Sequence, residues 1–376
     1  MSDERAFWLA WSKVAGVGAI LQKRIHDQFG SLEAAWTAAP DELTIVEGIG
    51  QQSAIAICAN RQQIQVDRLL KDYETQNFLT PADSDYPQLL LEIPDPPPVL
   101  YYRGQIDLVR SLDFRSAIAI VGTREPSEYG RRWTRKLSTT LAQQGFLVMS
   151  GLADGIDAEA HRSCLEAGGR TVAVLGTGVD IVYPSKNHRL YDQLLETGLV
   201  LSEYAAGTQP DRAHFPRRNR IVAGLSRAVL VIEAPMKSGA LITANLANDY
   251  GRDVYALPGS LENAKSKGCL TLISKGAQII LGESELLEMI GTIPALDHSI
   301  ESQSVQRPLI DLAPELSEVL QAIGAIVQQS NHPAVPFDAI VQTTKMQTSA
   351  VSSSLIQLEL LGLIAQVPGM RYQVLR

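Results

Sequence analysis

The chain has 376 residues, 45% hydrophobic and 20% charged, which is enough to bury more than one core. No apolar run reaches the roughly 18 to 20 residues that cross a bilayer, and the charged start Met1-Ser2-Asp3-Glu4-Arg5 lacks a signal-peptide core, so a cytoplasmic protein without membrane contact is expected. The widely spaced Cys58, Cys164 and Cys269 argue against a disulfide framework or zinc site, while a net charge of -8 argues against a nucleic-acid binder only until its distribution is read.

The first 82 residues read as a helical domain with an internal echo, Val14-Ala15-Gly16-Val17-Gly18 and Val46-Glu47-Gly48-Ile49-Gly50. Glycines there can take positive φ and leave amides pointing outward. The echo resembles the helix-hairpin-helix unit of sterile-alpha-motif-like domains, and leaves open whether the turns dock phosphate or only join helices. Residues 85–104 are rich in proline, which disfavours helix, and read as an extended connector laid on the next domain.

From residue 116 to about 290, short β-rich runs alternate with amphipathic helical stretches. Strands are predicted over 117–121, 146–149, 171–175, 199–202, 228–232, 254–257 and 278–281. Their continuous apolar character is that of strands covered on both faces, so an α/β Rossmann-like, doubly wound, mostly parallel sheet is expected over 83–290. Although the chain is acidic, 115–136 carries a local charge of +4, and a second cluster holds Arg212, Arg217, Arg218 and Arg220 with no acid inside it.

Ligands of open parallel sheets sit at the carboxyl ends of the strands, where helix starts offer free amides and a positive dipole end. In AIVGTREPSEYG, the candidate contacts are Gly122, Thr123, Arg124, Ser127, Tyr129 and Gly130, with Arg124 suited to two parallel bonds to a phosphate. The turn is neither a G-x-G-x-x-G nor a P-loop, which removes the usual support for dinucleotide binding or nucleotide hydrolysis. Ser150 and Gly151 open a second such turn. Just beyond it, Asp157 and His161 stand four residues apart, either as metal or proton partners or as a cap and an inward histidine. Lys186 and Asn187 follow in YPSKN. Phe215, Arg217, Asn219 and Arg220 in FPRRNR combine a ring with cations, a pairing suited to a single strand. Lys237, Ser238 and Gly239 begin the last turn, and all these turns are expected along one edge of one sheet.

An acidic linker is predicted over 291–312; residues 281–318 hold a charge of -7, nearly all of the excess. Over 313–376, three helices (313–327, 337–343 and 347–361) and a hairpin (363–374) make a winged helix. Lys345, Arg371 and Arg376 are the only cations from the last loop onward, too few for a strong duplex reader.

In order and spacing, the blocks AIVGTREPSEYG, SGLADGIDAEAH, VLGTGVDIVYPSKN, FPRRNRIVAGLS and VIEAPMKSGALITA resemble the DNA processing protein A (DprA, or Smf) family of natural transformation. The resemblance spans about residues 85–281, and the helical front and winged-helix tail fit longer members. It implies a protein without enzymatic activity or cofactor that protects incoming single-stranded DNA, forms a homodimer through its Rossmann-like domain, and loads the RecA recombinase. The family's phosphate-gripping arginine falls on Arg124. Thr123 stands where serine is usual, and Lys237 where arginine is common. The alternative is a LOG-like nucleotide phosphoribohydrolase, but that family's P-G-G-x-G-T-x-x-E turn has no counterpart here, since no acid follows Thr243 until Asp249. Glu203 and Glu233, at strand ends, are either acid–base groups or orienters of arginines.

Overall fold

The computed structural model describes residues 4–73, 75–105, 114–291, 314–330, 335–344, 346–360, 363–367 and 371–374. The chain divides into two compact units, 1–296 and 297–376. Residues 292–312 of the predicted acidic linker, and Lys345 and Arg376 of the tail, lie outside the described residues.

The first unit begins with helices α1 (Glu4–Trp11), α2 (Ala19–Phe29), α3 (Leu32–Trp36), α4 (Pro40–Leu43), α5 (Gln51–Arg61) and α6 (Val66–Asp72). Trp8, Trp11, Ile25, Leu32, Leu43 and Ile57 meet in their core. The two glycine turns recur as geometry: Gly16 and Gly48 take φ of +83° and +94°, and Gly18 and Gly50 precede α2 and α5 in extended conformation.

The α/β layer is a nine-stranded sheet. In chain order its elements are β1 (Phe78–Leu79), α7 (Gln88–Leu91), β2 (Leu100–Gly104), β3 (Ala117–Val121), α8 (Glu128–Gln143), β4 (Leu147–Ser150), α9 (Ile156–Glu166), β5 (Thr171–Leu175), α10 (His188–Thr197) and β6 (Leu199–Ser202). Then come α11 (His214–Gly224), β7 (Ala228–Val231), α12 (Gly239–Asp249), β8 (Asp253–Ala256), α13 (Lys267–Ser274), β9 (Gln278–Ile279) and α14 (Glu283–Ile290). The order across the sheet is β1-β2-β6-β5-β4-β3-β7-β8-β9, parallel from β6 to β9. Every predicted strand is present within one or two residues, because runs such as Ala117–Val121 are buried on both faces.

The connector differs from expectation. Its end is no bystander: Tyr101 pairs antiparallel with Ser202 and with Phe78, so β2 and β1 extend the sheet. The prolines lie before the ladder, at 94 and 96–98, and leave the donors of 100–104 free to pair.

Alternate residues of β3 point into different cores. Ile118 and Ile120 pack with Leu137, Ile156 and Ala160 of α8 and α9, whereas Ala117, Ala119 and Val121 face the core of α11, α12 and α13. The chain therefore winds outward from β3 in both directions, and the strand ends beside β3 form the edge at which such sheets bind ligands. Among the described residues, no helix is long and apolar enough to cross a membrane. The cysteines are free, and burial pushes the thiols of Cys164 and Cys269 up to about 12.

The second unit is a winged helix: α15 (Pro314–Ser330), β10 (Val335–Pro336), α16 (Phe337–Thr344), α17 (Thr348–Leu360), β11 (Ile364–Val367) and β12 (Arg371–Val374). Val319, Ile323, Ile340, Val351, Leu355 and Leu358 form its core, and β10 adds to the predicted hairpin a third strand too short to read from pattern.

Candidate functional site

A crevice opens over the carboxyl ends of β3, β4 and β5, lined by Arg124, Gly151, Asp154, Tyr183, Phe215 and Arg218 among others. The turn after β3 supplies Arg124, exposed and with no acidic partner among the described residues. Its guanidinium carbon lies 5.5 Å from the centre of the Phe215 ring. Phe215 in turn packs against Tyr183, with ring centres 5.4 Å apart at 33°. Two rings and an unpaired guanidinium thus share one open wall.

Arg218 forms the floor. It is 5% exposed, and one of its terminal nitrogens donates to the carbonyl of Gly151 at 2.6 Å and to that of Val174, while Nε donates to Asn219 Oδ1 at 3.2 Å. Gly151 is required here, because a Cβ on it would stand 2.5 Å from the guanidinium. Burial pulls the Arg218 pKa down, opposed by nearby Asp157, and Arg124 adds a second positive charge to the same space. Asp157 is itself buried, its pKa raised by desolvation against the pull of Arg218; it accepts from the Gly151 amide at 3.1 Å. Neutral carbonyl oxygens, two of the backbone and one of the Asn219 amide, accept from Arg218, so its charge is solvated but not cancelled by these bonds.

The sequence counts Arg218 in the cationic cluster of this helix but offers Arg217, Asn219 and Arg220 as its contacts. The available signal was spacing: Phe215, Arg218 and Asn219 stand at i, i+3 and i+4 and share a face, while Arg217 and Arg220 share another. That other face is closed. Arg220, 4% exposed, bonds Glu203 Oε2 at 2.9 Å and Asp95 Oδ2 at 2.8 Å, and Arg217 reaches Glu203 at 3.4 Å. Glu203 thus orients arginines, one of the two roles the sequence left open. Tyr183 was also passed over, although its ring stands three residues before the chosen Lys186.

The structure places the remaining candidates unevenly. Lys186 reaches the rim and pairs with Asp154 at 2.9 Å. Asn187 is buried and donates to the Leu152 carbonyl, and Ser150 is buried and donates to the Ile120 carbonyl. Thr123 is tied through its amide to the Glu233 carbonyl at 2.7 Å and through its carbonyl to the Ile156 amide. Gly122 lies against Ile156 and the Glu233 carbonyl. The helix start offered to phosphate is already occupied: Glu233 accepts from the Ser127 amide at 2.7 Å, the Ser127 hydroxyl at 2.8 Å and Asn263 at 3.2 Å. Gly130 gives that carboxylate its room, since a Cβ would meet it at 2.6 Å. Tyr129 donates to the Pro258 carbonyl. Lys237, Ser238 and Gly239 line a separate groove with Met236, Ile242 and Lys275, joined to the crevice helix by a bond from Asn219 to the Gly239 carbonyl.

Asp157 and His161 do not act together. His161 is buried, with Nδ1 on Thr171 Oγ1 at 2.7 Å, and the Thr171 hydroxyl donates a hydrogen bond to the Val148 carbonyl at 2.8 Å. Burial and Arg218 lower the His161 pKa to about 3. Among the described residues no cluster of His, Cys, Asp or Glu is placed to hold a metal.

A family model for DNA recombination-mediator protein A matches residues 77–291, and one for the DprA winged helix domain matches 303–370. Protein Smf of Synechocystis is 47% identical, over 99% of each chain. The solved DNA processing protein A of Streptococcus pneumoniae superposes with a TM-score of 0.67 at 35% identity, covering 77% of this chain and 98% of that one. A Helicobacter pylori structure, described for its single-stranded DNA binding mode, aligns with a TM-score of 0.52 at 31% identity over 57% of this chain and 95% of that one.

Proposed function

Because the chain belongs to the DNA recombination-mediator protein A family, we propose that its crevice binds single-stranded DNA, with Arg124 gripping a phosphate and Phe215 and Tyr183 stacking bases. One observation carries this reading: an exposed guanidinium without an acid stands over a paired aromatic surface. Cations track a nucleic-acid backbone while rings take bases of any sequence, and in a duplex those bases are already stacked. Arg218 deepens the positive potential from below, and Lys186 continues it at the rim. Of the other turn candidates, Thr123 and Gly151 set the shape of the wall, and Lys237 with Ser238 and Gly239 extends it beyond α11.

The finer steps that the resemblance implies belong to the same proposal. The chain protects incoming DNA in the cytoplasm, acts as a homodimer, and loads RecA on the bound strand during transformation and recombination, without catalysing a reaction itself. The Helicobacter pylori relative, with its single-stranded DNA binding mode, supports the choice of ligand.

Fluorescence anisotropy with labelled single- and double-stranded oligonucleotides over a salt series tests the reading. Wild type prefers the single strand. Arg124→Ala weakens binding by about 10- to 100-fold, the worth of a charge-assisted bond of roughly 1.5–3 kcal/mol. It flattens the log–log salt slope by about 0.7 and leaves thermal unfolding in place. A wild type that ignores the single strand and takes a nucleoside monophosphate would overturn the proposal in favour of the phosphoribohydrolase.

A further inference from the structure

Helices α8, α9 and α10 lie side by side on one face of the sheet, and they carry cations that the crevice does not use. At their centre is Glu159, only 7% exposed. Three guanidinium groups converge on it: Arg135 at 3.2 Å, Arg162 at 3.2 Å and Arg131 at 4.0 Å. One carboxylate cannot neutralise three arginines, and each of the three keeps 42 to 46% of its side chain exposed. Arg135 also reaches the exposed Glu128 at 2.8 Å, which still leaves the cluster positive. The buried carboxylate therefore holds one terminal nitrogen of each guanidinium and leaves the outer faces of a preorganised cation group open to a second anion.

This cluster is continuous with the crevice. A groove between α9 and α10 is lined by Arg162, Lys186 and Arg189, with Glu166 and Glu196 on its walls. Arg189 is exposed and has no acidic partner among the described residues. Lys186 joins the two sites, since it lines the groove and bonds Asp154, which lines the crevice.

We propose that the strand leaving the crevice passes Lys186 and lies in the α9–α10 groove, its phosphates held by Arg189 and by the arginines gathered on Glu159. The groove lining includes no aromatic side chain, so this segment is held by its backbone with the bases turned outward, and its grip is indifferent to sequence. The inference rests on the crevice being a single-strand site, and the test separates the two.

Binding of oligothymidylates of about 6 and about 20 nucleotides is compared for wild type and the double variant Arg162→Gln/Arg189→Gln, neither residue being part of the crevice. The short strand binds both proteins equally. The long strand binds the variant roughly tenfold more weakly at physiological salt, with a salt slope smaller by about 1.4, the signature of two lost phosphate contacts. Equal long-strand affinities for the two proteins overturn the groove and leave the crevice standing; an equal loss for both lengths, with the urea midpoint unchanged, also overturns it, because the two arginines then serve the short-strand site itself. If wild type binds neither length, the crevice reading falls and the groove falls with it.

Discussion

The edge of the sheet carries two regions built from the same materials with opposite outcomes. At the turn between β3 and β7, the start of α8 offers an amide and a hydroxyl, and Glu233, 106 residues away, takes both. In the crevice over β3, β4 and β5, Arg124 has no such partner among the described residues, and Arg218 is held by neutral carbonyls. A glycine turn, a hydroxyl and a helix start do not by themselves define an anion site. What decides is whether the chain supplies its own counter-charge from elsewhere in the sequence. The closed region then stabilises the fold, while the open region keeps its charge for a ligand.

The largest effect separating the two comes from the closed face of α11. Arg220 is buried between Glu203 and Asp95, and its loss leaves the buried Glu203 with Arg217 alone and Asp95 without a cation among the described residues. Arg220→Ala is expected to cost about 3–5 kcal/mol of stability, read as a shift of the urea midpoint. Arg124→Ala, on the open side, leaves that midpoint unchanged. Equal effects would erase the distinction.

Glu233→Ala comes next. It removes the acceptor for the partly buried Ser127 and Asn263, at a cost of about 1–3 kcal/mol in all. The emptied turn becomes what the sequence advertised, an amide-lined helix start, so sulfate or phosphate should recover more stability in this variant than in wild type. Thermal shift with added anion measures it. An anion response no greater than that of wild type would show that the helix start has no intrinsic anion affinity.

Much of this is legible in the sequence, and what is not legible is hidden in two ways. Strands such as Thr171–Leu175 declare themselves because double burial demands an unbroken apolar run. The glycine turns declare themselves because few other residues fit. Partners distant in the chain do not: nothing near Ser127 announces Glu233, and nothing near Arg220 announces Asp95 in the proline-rich connector. Arg218 is hidden in the second way. Four consecutive polar residues, 217–220, conceal which of them face the crevice until Phe215 is used to set the helical phase.

The smallest expected effect follows from the burial of His161 beneath the open region, to which the charge of Arg218 adds. His161 is neutral in the native state, its pKa lowered to about 3 by burial and by Arg218, against about 6.5 in an unfolded chain. Above pH 6.5 neither state binds the proton and the histidine costs nothing on this account. Below it the unfolded chain takes up a proton that the native state refuses, so stability falls as pH drops from about 6.5 toward 3, by up to about 1.4 kcal/mol per pH unit. His161→Gln keeps a polar group near Thr171 but does not titrate, and its acid limb should be shallower by that amount. Urea midpoints at intervals between pH 7 and 4.5 make the comparison. Parallel limbs for the two proteins would mean that His161 titrates in the native state as it does in the unfolded chain, so that burial does not keep the imidazole neutral.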